Sequence, residues 1–177
     1  MADEAAARPA RRTVKPGVHR DAERSDLVRS WRAARRLALA AVFEADFGQR
    51  TPSAVLERHL ADVEGDPAAA DLARRIVAGV VRFRDAIDAD IERIAPQYPV
   101  VQLARMDRAL LRCAVGEVLH SPSTPARVAI AEWVELARIY SGDPMRRLVN
   151  GVLGSIVSEG STTPKREKPS PQRPRDS

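Results

Sequence analysis

Aromatic residues make up only 4% of this 177-residue chain, and cysteine occurs once, at Cys113. With so few rings, the 44% hydrophobic fraction must build its core from Ala, Leu and Val. A single cysteine cannot close an internal disulfide and cannot by itself make a zinc site. His19, His59 and His120 lie far apart, without ligand spacing. No apolar run approaches the ~18 residues that span a bilayer, and no charged–apolar–small signal opens the chain. These absences predict a soluble, metal-free, cytoplasmic protein without membrane contact. The length suits one ordinary domain, or two small helical subdomains sharing a core.

Catalytic patterns are equally scarce. No glycine-rich phosphate loop is present, since Gly142, Gly151 and Gly154 stand isolated. Glu132 and Glu135 invite a reading as paired carboxylates, but arginine-partnered acids on the polar sliver of a buried helix describe them better. Cys113 lies in an apolar stretch with no sequence-near histidine on its face, and reads as a small core residue. The expectation is a protein that is not an enzyme and holds no cofactor.

What the chain does have is positive charge, placed unevenly. The formal net charge is +5, and the segment 31–160 is neutral. Residues 8–36 carry ten basic groups against three acidic ones, and 161–177 add a further +3. That is a globular body with basic arms, and basic arms favour polyanions. The arms lack apolar anchors and carry helix-breaking residues such as Pro9, Pro16 and Gly17. The expected organisation is a disordered basic arm over 1–28, a helical body over 29–160 and a disordered basic, proline-rich tail over 161–177.

Within the body, prolines punctuate runs of helical period. Thr51-Pro52, Asp66-Pro67, Thr124-Pro125 and Asp143-Pro144 each place a capping side chain before a proline at a helix start. Spacing then predicts six helices. The first covers Ser30 to Phe47 and ends at Gly48; the second covers Pro52 to Val63. The third runs from Ala68 towards Ile94 with a bend or break near Gly79 or Arg84. The fourth covers Asp107 to His120, the fifth Pro125 to Tyr140 as the central buried helix, and the sixth Met145 to Val157. No stretch keeps a strand period, so the fold class is all-α.

Arg29, Arg32, Arg35 and Arg36 recur at three- and four-residue steps near the start of the first helix. The planar guanidinium fork donates two parallel hydrogen bonds to a phosphate and stacks on bases, so this cluster is the candidate nucleic-acid contact. A solvated basic face is the plainer alternative. Trp31, inside the helix, is expected to pack rather than stack on a base.

Four segments together resemble the NusB family of bacterial transcription antitermination factors, over roughly Trp31 to Val157. They are the arginine-rich run Arg32 to Phe43, Ile76-Val77-Ala78-Gly79-Val80, Met106 to Arg112, and, most specific, Pro125 to Glu132 leading to Ala137 with Val149-Asn150-Gly151-Val152-Leu153. The resemblance implies two abutting three-helix subdomains, with neither catalysis nor cofactor. It also implies binding to the boxA element of leader and ribosomal RNA transcripts, together with the small-subunit ribosomal protein NusE. RNA polymerase and other Nus factors then join indirectly to suppress termination. By position, RNA contact carries over to Arg32 and Arg35, with Arg29, Arg36, Phe43, Arg146 and Arg147 as further candidates. The acid facing the protein partner carries over to Asp107, with Arg108 beside it.

The sequence also departs from the family pattern. Phe43 stands where a tyrosine is frequent, Arg146-Arg147-Leu148 replaces a common basic–aromatic pairing, and the loop Ser141 to Met145 looks short. Asn150 falls in an otherwise apolar helix and is expected to take a structural hydrogen bond. Two other readings stand beside the antitermination factor. One is a helical module for protein–protein assembly alone, as a homodimer. The other, an RNA-binding module of a ribosomal RNA methyltransferase, leaves no length for an α/β cofactor domain.

Overall fold

A computed structural model describes the backbone of residues 16–62, 66–121 and 124–162, and the side chains of 25–62, 66–121 and 124–160. The expected tail over 161–177 and most of the expected N-terminal arm therefore lie outside the described side chains. Among the described residues five α-helices follow one another: α1 Pro16–Ala45, α2 Pro52–Ala61, α3 Pro67–Ile94, α4 Arg105–His120 and α5 Ala126–Thr162. A single 3₁₀ turn, Val100–Gln102, bridges α3 and α4. No strand occurs among the described residues.

Local chemistry accounts for the boundaries. Thr51 caps α2 by accepting from the Ala54 N–H at 3.3 Å, and Asp66 caps α3 by accepting from the Ala68 N–H at 3.0 Å. Each is followed by a proline whose missing N–H costs nothing in a first turn. α1 already contains Pro16 and Gly17, well before the expected Ser30, so neither residue interrupts the helix that follows it. Gly48 stops α1 as expected, with φ at +80°, a conformation open to glycine without a Cβ clash.

Two helices are broken inside. In α3, Phe83 departs from helical geometry (φ −115°, ψ 19°), next to the expected break at Arg84. In α5 the break is at Gly142 (φ 78°, ψ −169°), so the expected fifth and sixth helices are the two halves of one element joined by a corner. Gly142 supplies the positive φ that turns the chain, and Pro144, which has no N–H to donate, stands in the turn that restarts the helix behind it.

α1, α2 and α3 pack on one another, and α4 packs on α3, α5 and α1. Leu39, Leu56, Leu72 and Ile76 are buried in the first group, and Leu110, Leu111, Trp133, Leu136 and Leu153 in the second. α3 serves both, which gives the two abutting helical subdomains. A close crossing joins them: a Cβ on Gly116 would lie 3.1 Å from the Val80 side chain. Nearby, the Phe83 and His120 rings stack at 3.9 Å. The first half of α5 is less central than its composition predicts. Trp133, Leu136 and Ala137 are buried, but Val128, Ile139 and Tyr140 face outward.

Candidate nucleic-acid interface

At 3.6 residues per turn, positions 29, 32, 36 and 43 of α1 fall within roughly 60° of one another. They form one stripe along the helix. Arg29 is exposed and pairs with Asp26 one turn earlier. Arg36 is exposed and has no ion pair among the described residues. Phe43, half-buried, leans its ring edgewise on Phe47 at 5.4 Å. Trp31 packs against the core, as expected of a tryptophan inside a helix.

Arg32 sits at the edge of the stripe. Its Nε and Nη2 donate to the two oxygens of Glu132 on α5, both at 2.8 Å. The hydrogen bond from Arg32 holds the Glu132 carboxyl below the usual carboxylate range, and the same bond raises Arg32. Glu135, one turn on, takes a bidentate pair from Arg138 at 2.9 and 2.6 Å. Both acids are thus arginine partners, as their sequence setting suggested.

Arg35 does not belong to this surface. It is 1% exposed. Its Nε and Nη2 donate to Glu117 of α4 at 2.9 and 2.7 Å, while Trp133 Nε1 donates to the same carboxylate at 2.7 Å. The expectation that Arg35 contacts RNA is therefore corrected. One residue before Arg36, it points about 100° away from it, into the α1–α4 seam. Recurrence at three and four residues spreads the arginines around too wide an arc for one face to hold all four. The missed partner, Glu117, left a readable trace: it continues the apolar stripe Leu110, Cys113, Ala114 of α4, where an acid must be matched to be buried. Cys113 is buried as expected, and burial pushes its thiol far above the ordinary range.

α4 separates the two partner candidates. Asp107 borders a groove with Tyr98, Leu103, Pro144, Met145 and Leu148. Arg108 turns the other way, donating to Asp46 just past α1. The two thus do not share a surface, because adjacent helical residues diverge by about 100°. Asp46 also draws Arg105 and Arg112, each at 3.8 Å, although Arg112 spends its fork on Asp88 at 2.8 and 2.7 Å. This arginine cluster was not anticipated, since nothing links Asp46 to α4 in sequence.

On the second half of α5, Arg146 donates to Asp143 at 2.9 Å and Arg147 is exposed. Asn150, expected to take a structural hydrogen bond, is exposed, on the side of α5 away from Val149 and Val152. Among the described residues no group of His, Cys, Asp or Glu could hold a metal ion, and no helix is long and apolar enough to cross a membrane.

Comparison with known proteins matches the NusB family to residues 32–158. The transcription antitermination protein NusB of Dehalococcoides mccartyi is 34% identical over 139 residues, covering 78% of this chain and 97% of the relative. That of Symbiobacterium thermophilum is 40% identical over 136 residues, covering 72% and 89%. Among solved structures, T. maritima NusB aligns with a TM-score of 0.67 at 30% identity, covering 73% of this chain and 91% of its own. A chain from the complex of antitermination factors NusB and NusE with double-stranded RNA shares the fold, with a TM-score of 0.65 at 23% identity over 74% and 98%. With its all-helical architecture and the part of α1 that carries Arg32, Arg36 and Phe43 inside the matched span, the chain belongs to the NusB family.

Proposed function

We propose that the protein is a transcription antitermination factor, a non-enzymatic cytoplasmic protein that binds boxA RNA together with the ribosomal protein NusE. It helps suppress termination, notably on ribosomal RNA operons, with RNA polymerase and other Nus factors joining through the complex. The observation that carries this reading is the α1 stripe of Arg29, Arg32, Arg36 and Phe43, set on the scaffold of a family whose relatives are antitermination proteins. Guanidinium groups at one-turn spacing suit successive phosphates, and an adjacent ring suits a base. Arg32 enters the contact by exchanging Glu132 for phosphate. Arg146 and Arg147 extend the basic surface, and Asp107, in its groove, faces the protein partner. The functional unit is the helical body over 29–160, with the leading part of α1 continuous with it.

The test is an RNA titration with and without NusE across a range of salt. Each phosphate contact on single-stranded RNA contributes about −0.7 to the slope of log affinity against log salt. Arg32→Ala with Arg36→Ala therefore flattens the slope by roughly 1.4 and weakens binding. Unchanged affinity and slope in this folded double variant would remove the stripe from the site.

A further inference from the structure

We infer that the RNA track continues past Arg36 to a base-stacking site formed by Phe47 and Arg105, where the end of α1 meets α3 and α4. This rests on the proposed function and adds residues to it. Phe47 is 50% exposed. The ring is nevertheless held. Phe43 supports it edge-on at an interplanar angle of 85°, and the Arg105 guanidinium lies over it, 4.4 Å from the centroid.

Charge decides what such a ring receives. Arg105 is 53% exposed and reaches Asp46 only at 3.8 Å, because Arg108 already engages that carboxylate. Its fork therefore remains available to a phosphate. Arg84 borders the same cleft with Asp46 and Arg112, and among the described residues it has no ion pair. Four guanidinium groups (Arg84, Arg105, Arg108, Arg112) thus face two carboxylates, Asp46 and Asp88. Val81 of this cleft is exposed as well, so it is the surplus of positive charge, not a want of apolar surface, that favours a nucleic acid over a protein partner here. One ring under a guanidinium within surplus positive charge matches a single-stranded nucleotide, with the base on the π-face and the phosphate on arginine.

Continuity links this corner to the α1 stripe. Phe43 lies two turns beyond Arg36, roughly 10 Å along the helix, and touches Phe47 directly. The strand that meets Arg32 and Arg36 needs only to follow α1 to reach the ring.

The experiment titrates a labelled single-stranded boxA-type RNA into the full-length wild type, Phe47→Ala, Arg105→Ala and, as reference, Arg36→Ala, with and without NusE. Phe47→Ala is expected to weaken RNA binding at least ~5-fold with little change in salt slope, since stacking is not ionic. Arg105→Ala should flatten the slope by about 0.7. Because both side chains are half exposed, thermal melts should match the wild type. As a measurement independent of variants, irradiating the wild-type complex with 5-bromouridine-substituted RNA should place a crosslink on the segment carrying Phe47. If both variants bind within twofold of wild type while Arg36→Ala is weakened, or crosslinks stay at the start of α1, the inference is overturned and the function stands. A loss confined to the NusE complex would make the corner a protein surface and overturn it too. A wild type that binds no RNA under either condition defeats the proposed function and this inference with it.

Discussion

Replacing Glu117 with glutamine keeps its shape and removes its charge, which isolates the contribution of the buried carboxylate. In the folded protein that carboxylate is fully buried and accepts three donors, two from Arg35 and one from Trp133. Glutamine can still accept through its amide oxygen, but Arg35 is left as a buried cation without an anion. Breaking a buried pair in this way costs about 3–5 kcal/mol. For a chain of this size, each kcal/mol lowers Tm by about 2–4 °C, so Glu117→Gln should melt some 6–20 °C below wild type. Arg35→Met should be comparably unstable. The double variant Arg35→Met/Glu117→Leu removes both charges at once and should lose less than the sum of the two single variants, although the Trp133 N–H then costs about 1–3 kcal/mol. Calorimetry of the four proteins closes the cycle. RNA titration well below the lowest Tm supplies the functional arm, in which folded Arg35→Met binds like wild type. A Glu117→Gln protein that melts within ~2 °C of wild type would refute the structural role assigned to the pair.

Three further outcomes follow from other parts of the molecule. Glu132→Gln frees the Arg32 fork, and the ~0.2–1 kcal/mol of a partly exposed pair makes RNA binding about 1.4- to fivefold tighter by anisotropy; weaker binding would mean that Glu132 orients Arg32 productively. Asp107→Lys reverses charge in the groove beside Tyr98 and should weaken the NusE complex in a pull-down or titration while sparing RNA binding by the isolated protein; an unweakened complex would place the partner elsewhere. His120 is held below its ordinary range chiefly by burial against Phe83, with Asp90 opposing. The unfolded chain therefore takes up the proton first. The stability from the neutral ring is full above about pH 6.5 and erodes as pH falls towards the depressed folded value, so His120→Phe should flatten the acid limb of a Tm-against-pH curve.

Much of the fold was legible because local rules and tertiary packing agree. The Thr51 and Asp66 caps, the Gly48 stop and the break at Phe83 all act within one or two turns of the residues that cause them. Pro16 lies within α1 although a proline reads as a helix breaker, because only the helical run behind it decides. The site was less legible because facing is a tertiary property. Arg32 and Arg35 differ by one turn less a fraction, yet one reaches a half-open acid on α5 and the other a sealed one on α4. Nothing between residues 46 and 105 announces that Asp46 will gather the arginines of α4. Asn150 shows the converse: a polar residue in an apolar-looking stretch turned out to lie on the wet side of the helix.

The corner at Gly142 also sets how the last helical segment is retained. Met145, Leu148 and Val152 pack beside the α3–α4 connection, near Ile94, Tyr98 and Leu103. A hinge of one or two residues leaves almost no closure entropy to overcome, so the second half of α5 docks as if present at an effective concentration in the millimolar range. Cutting the backbone at Gly142 would turn that docking into a bimolecular encounter. The groove would then empty at ordinary protein concentrations, and the Asp107 surface would lose one of its walls.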